Sequence, residues 1–153
     1  MPKVDIDAIA MSNATGYPPL HAAQVRGRWV RRVGRAMGLA DFGASHVRLE
    51  PGAWSSQRHW HEDEDELVVM LAGEAVLVDD AGRTPLLPGD IAVFPKGDGN
   101  GHHIVNESGH DCLFLAIGRP PAGPCHYPDI DMLFEGEKGF TRKDGSAFEE
   151  SRR

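Results

Sequence analysis

The chain of 153 residues is short of cysteine, of long apolar runs and of positive charge, and each shortage removes a class of protein. Two cysteines, Cys112 and Cys125, cannot build the disulfide framework of a small secreted domain, so reduced thiols and a cytoplasmic setting are expected. No stretch approaches the roughly 18 consecutive apolar residues of a membrane helix. The start, MPKVDIDAIAMSNATGYPPL, lacks a basic segment followed by a long apolar one and does not read as a signal peptide. Sixteen basic residues face 23 acidic ones, a formal net charge of −7, which argues against nucleic acid or an anionic membrane as partner. Helical periodicity is scarce too: nothing between Ala44 and Gly118 reads as a helix. Hydrophobic content of 41% and charged content of 25% are ordinary for a globular domain, and the length suits one.

What is present is turn chemistry. The 18 glycines and 11 prolines separate short segments whose side chains alternate between apolar and polar. Strands are expected over residues 26–33, 44–50, 57–61, 66–71, 74–79, 84–87, 91–94, 102–105 and 111–118. Arrival every 8–12 residues indicates a sandwich or small barrel rather than βαβ units. Residues 1–25 read as an N-terminal arm, partly ordered at best. Residues 26–118 read as the barrel, and 119–153 as a C-terminal wrap, ordered to about residue 140 and loose beyond.

The eight histidines are the unusual feature. His59 and His61 are two apart on an expected strand, so both imidazoles face one way and Trp60 the other. Glu66 follows an acidic turn and can come back beside them, although Glu64 or Asp65 could take its place after a register shift. His102 opens a later strand behind the glycine-rich loop 96–101. Three imidazoles and a carboxylate suit a divalent first-row ion.

The pattern Gly52-x6-His59-x-His61-x4-Glu66-x6-Gly73 resembles the first motif of the cupin superfamily, and Gly89-x5-Pro95-x-Gly97 with His102-x3-Asn106 resembles the second. The resemblance covers roughly residues 44–118. It implies an all-β fold, a double-stranded β-helix or jelly-roll barrel with irregular N- and C-terminal extensions. It also implies one divalent ion (Zn, Fe, Ni, Mn or Co) held by His59, His61, Glu66 and His102, a small-molecule ligand, and a homodimer. Two spacings depart from the pattern. One extra residue between Gly52 and His59 implies a bulge. Two extra residues before His102 leave His103 as its rival, and counting back from Asn106 selects His102.

Four further residues are candidates for moving a proton or binding substrate: Gln57 and His46 from the barrel wall, and Tyr127 and Asp129 from a tail that could cover the mouth. The basic run from Arg26 to Arg35 is either an anion site, if it faces the mouth, or a solvated edge strand. Three functions remain compatible with these residues. The first is a metalloenzyme acting on a small oxygenated metabolite, as a sugar or sugar-phosphate isomerase or a dioxygenase. The second is a non-catalytic ligand-binding or sensing module, and the third a barrel whose metal is structural. Residues 1–43 are too short and glycine-broken for a helix-turn-helix.

Overall fold

Strand alternation decides which side chains enter the barrel. In the computed structural model, which describes residues 2–149, Val47 and Leu49 are buried while the alternating neighbours His46 and Arg48 face outward. In chain order the strands are β1 Arg28–Arg32, β2 Gly43–Leu49, β3 Trp60–His61, β4 Glu66–Ala72, β5 Ala75–Asp79, β6 Gly82–Leu86, β7 Ile91–Phe94, β8 His103–Val105, β9 Cys112–Gly118, β10 Pro124–Tyr127, β11 Met132–Glu135 and β12 Phe140–Thr141. One turn of helix, α1 Val33–Ala36, follows β1. No helix among the described residues is long and apolar enough to cross a membrane.

A five-stranded antiparallel sheet, ordered β1-β2-β9-β4-β7, faces a three-stranded one, β6-β5-β8. Val47, Leu49, Val68, Met70, Ala75, Leu86, Ile104, Cys112 and Phe114 fill the space between them. This is the jelly-roll architecture expected from the sequence, and the strand ends differ from expectation by three residues or fewer.

Four expectations are corrected. The segment after Gly118 is not an irregular wrap: β10, β11 and β12 join β3 in a four-stranded sheet ordered β12-β11-β10-β3. Prolines 120, 121, 124 and 128 punctuate this stretch and hide its alternation, yet Cys125 and Tyr127 share one buried face. Residues 142–148 are docked, with Arg142 lying over the Phe148 ring, which meets His21 edge-on. The N-terminal arm is docked as well. Ser12 pairs with Val30, and Tyr17 packs into a second core with Tyr127, Met132 and Phe140. Finally, the extra residue before His59 makes no bulge in a strand. It is taken up by bends over residues 55–58, between the bridges Trp54–Val105 and His59–His102.

Two motif glycines separate backbone conformation from space. Gly52 and Gly73 both have positive φ, 85° and 71°, but a Cβ on Gly52 meets nothing within 4 Å whereas one on Gly73 lies 2.7 Å from the Asp111 carbonyl oxygen. Gly52→Ala is expected to cost about 1–3 kcal/mol for the left-handed conformation alone. Gly73→Ala should cost clearly more, read as a larger drop in urea midpoint; equal midpoints would show that the close approach carries no energy.

Candidate metal centre

The site starts from one backbone pair. His59 N–H donates to the His102 carbonyl at 3.1 Å and His102 N–H returns to His59 at 2.8 Å. Residues paired in this way put their side chains on the same face, and the two imidazole centroids are 4.8 Å apart. Two residues on, His61 points the same way, while Trp60 turns out and stacks on His126 at 4.3 Å. Glu66 opens β4, where it is registered with Phe94 on β7 and Gly118 on β9. Phe94 lies flat against His102, with ring centroids 3.5 Å apart.

All three Nε2 atoms face one oxygen, Glu66 Oε1. The distances are 3.4 Å from His59 and 3.7 Å from His102, and His61 Nε2 is in direct contact. Two ligands each about 2.1 Å from one ion stand roughly 3–3.5 Å apart, so the spacing fits. The ligand atoms of His59, Glu66 and His102 lie within 4.8 Å of one another, and His61 joins the group through Glu66. His102 Nε2 and Glu66 Oε1 are buried without a hydrogen bond of good geometry, which a cation between them would remedy. On the far side of the His59 ring, Nδ1–H donates to the Gln57 carbonyl at 2.9 Å, leaving Nε2 free to ligate.

Electrostatics agrees with a place for a cation. Burial alone would raise the Glu66 carboxyl, but the facing imidazoles of His102, His59 and His61 outweigh it and hold the group far below the usual carboxylate range. Burial pushes His61 down, yet its neighbours Cys125 and Glu66 outweigh that and lift it to about 10. Burial lowers His102.

The rival residues are placed elsewhere. His103 is buried on the opposite side, its Nδ1 against the Ser56 carbonyl and its ring edge-on to Trp54. The Asp65 carboxylate accepts from Lys96 N–H, and Glu64 lies behind His61. Neither therefore takes the place of Glu66.

A cavity of about 210 Å³ opens beside these side chains, lined by Arg28, Arg32, Ser45, Ser55, Ser56, His59, Glu66, Phe94 and His102 above an apolar floor. None of the four candidates for proton transfer or substrate binding lines it. His46 is on the outer face of β2. Gln57 donates its amide to the His21 carbonyl and Gln24 Oε1, anchoring the N-terminal arm. Tyr127 packs its ring 5.8 Å from that of His59 on the side away from the cavity, and Asp129 grips Arg58. The tail thus buttresses the segment His59–His61 and does not cover the mouth. Arg28, Val30 and Arg32 alternate along β1, so the inward half of the basic run reaches the cavity while Arg31 turns out to Asp7. Sequence reasoning missed Cys125, paired with His61 across β10 and β3, because nothing local marks that pairing.

A cupin-domain family model matches residues 45–118. The crystal structure of a sugar phosphate isomerase from a cupin superfamily, from Silicibacter pomeroyi, is 45% identical, covers 97% of both chains and superposes with a TM-score of 0.91. A predicted oxalate decarboxylase from Thermotoga maritima is 28% identical over 60% of this chain and 79% of its own, with a TM-score of 0.52. The oxalate-binding protein of Thermotoga maritima is 34% identical over 73 residues, which is 48% of this chain and 58% of that protein's length.

With His61 lifted to about 10, the metal-free site carries a proton at neutral pH that an entering ion must displace. Affinity for a divalent ion should therefore rise close to tenfold per pH unit from 7 towards 9 and fall on acidification. Calorimetry in buffers of different ionisation enthalpy should find about one proton released per ion; release of none at pH 7 would contradict this.

Proposed function

The chain belongs to the cupin superfamily, and from that premise we propose that it is a divalent-metal-dependent enzyme isomerising a small phosphorylated sugar. The observation that carries the reading is the pair Arg28 and Arg32, which share a cavity wall with His59, Glu66 and His102. In a chain of net charge −7, two guanidiniums turned into one small cavity select an anionic ligand. Arg28 is held by a 2.7 Å bond from Nη1 to the Ser55 carbonyl, and its buried Nε has no partner. Arg32 is exposed at the rim. The cavity is below the roughly 300–1,000 Å³ of drug-sized ligand sites, so the substrate is a metabolite rather than a polymer.

In this reading His59, His61, Glu66 and His102 hold the ion, and zinc, iron, nickel, manganese and cobalt all suit such donors. A bound ion supplies Lewis-acid polarisation of a substrate carbonyl or hydroxyl oxygen. Arg28 and Arg32 anchor the phosphate, while Phe94 and the apolar floor exclude water from the reacting end. A non-catalytic binding role is favoured by one observation: among the described residues lining the cavity, Glu66 is the sole carboxylate. Metal-loaded protein should interconvert an aldose phosphate and a ketose phosphate, followed by NMR. Binding without turnover would move the reading to the sensing module. Arg28→Met and Arg32→Met should each weaken sugar phosphate binding by about 1.5–3 kcal/mol, roughly 10- to 100-fold, at unchanged metal content. Unaltered binding in both variants would reject the phosphate site.

A homodimer in the cytoplasm completes the proposal. The two free cysteines are buried and fit a reducing compartment. On the outer face of the larger sheet, Ile117, Leu67 and Val93 form one cross-strand row and Leu115, Val69 and Ile91 the next. Ile91 and Val93 are each 62% exposed. A continuous apolar face of this kind is what a second copy would cover. Sedimentation at micromolar concentration should give twice the chain mass for the wild type and the chain mass for Ile91→Asp combined with Val93→Lys. A monomeric wild type would remove the dimer.

A further inference from the structure

Glu64 is a buried carboxylate that the ligand set does not use. Its side chain is 2% exposed. Oε1 accepts the backbone N–H groups of Ala122 at 2.6 Å and Gly123 at 2.9 Å, in the segment between β9 and β10. Oε2 has no hydrogen-bond partner, and neither has His61 Nδ1; both atoms are buried and they lie 3.4 Å apart. Among the described residues no lysine or arginine nitrogen comes within ion-pair distance of Glu64. Among the described residues His61 is the sole group placed to balance the Glu64 carboxylate, and docking two amides needs only a neutral acceptor. The charge therefore calls for a second use.

That use follows from the chemistry of a ligating imidazole. A histidine bound through Nε2 keeps its remaining proton on Nδ1, and that N–H needs an acceptor. His59 has one in the Gln57 carbonyl. For His61 the atom facing Nδ1 is Glu64 Oε2. The backbone comes close here: a Cβ at position 123 would stand 1.9 Å from Asp63 Oδ2 and 3.1 Å from Asp63 Cβ, so a side chain there would have to displace the residue next to Glu64. Cys125, the other polar side chain beside His61, is positioned with His59 and His61 rather than with Glu64.

We propose that Glu64 is a positioning residue of the metal site, orienting His61 through Nδ1 while the Ala122 and Gly123 amides orient Glu64. This rests on the reading of His59, His61, Glu66 and His102 as metal ligands. It gives the C-terminal segment a role in the site without bringing it to the cavity.

The test uses the full chain and zinc in competition with a chromophoric chelator. Glu64→Gln keeps a carbonyl oxygen for the two amides and sets an NH₂ donor against His61 Nδ1–H. It should weaken zinc by about 10- to 100-fold. Gly123→Ala keeps the charge but displaces the amides, and should weaken zinc as well. In zinc-loaded wild type, ¹⁵N-resolved NMR should show a protected, downfield Nδ1–H on His61 that Glu64→Gln loses. Equal zinc affinity in wild type and Glu64→Gln, or no such proton in the wild type, would overturn the role of Glu64 alone. If the wild type binds no zinc, cobalt, nickel, manganese or iron, the ligand reading fails and takes this proposal with it.

Discussion

The reciprocal backbone pair between His59 and His102 is the constraint on which the site depends. It joins two segments more than forty residues apart and leaves no freedom in which side chains meet. Once His59 and His102 are paired, strand parity brings in His61 and expels Trp60 and His103. The pair is short and isolated, because residues 55–58 bend and β3 contributes only Trp60–His61. Two bonds in a bent segment would not hold it unaided, so the surroundings have to.

Arg58 is the main support. Its guanidinium contacts Asp80 in the β5–β6 turn, donates two bonds of 2.8 Å to Asp129 after β10, and reaches the Gly101 carbonyl at 3.0 Å. One side chain next to His59 thereby ties together a hairpin turn, the tail and the residue before His102. These bonds to Asp129 and Asp80 keep Arg58 firmly charged, against the opposing effect of burial. Surface ion pairs are individually weak, but a shared guanidinium fixes three backbone segments at once, and that geometric effect does not depend on the strength of any single pair. The same bonds explain why Asp129, a reasonable catalytic candidate from sequence, is structural.

Features that depend on local pattern were legible in the sequence. Turn residues and period-two alternation mark the strands between residues 26 and 118, and the motif resemblance from Gly52 to Asn106 points to the four side chains that the structure brings together. Parity separates His61 from Trp60, and the count from Asn106 separates His102 from His103. Features that depend on pairing between distant segments were not legible. Gln57 shares parity with His59, but the bends over 55–58 break the alternation and turn its amide to the N-terminal arm. The alternation over residues 44–50 puts His46 on a strand, and only the direction of sheet closure shows its face to be the outer one. Cys125 and Tyr127 reach the ligand strand because β10 pairs with β3, a contact across more than sixty residues that no local signal encodes.

The two cores divide the work of holding the candidate ligands. The apolar filling between the two barrel sheets sets the positions of Glu66 and His102, since Val68 and Met70 on β4 and Ile104 after His102 are buried in it. Tyr17, Tyr127, Met132 and Phe140 pack on the other side of His59 and His61. The histidine strand is thus clamped between a cavity that must stay open and an aromatic cluster that need not. A site that admits substrate cannot be close-packed on the substrate's side, so rigidity has to come from behind. The N-terminal arm and the C-terminal sheet supply it: both lie outside the motif-bearing barrel, and both end behind the histidine segment rather than over the mouth.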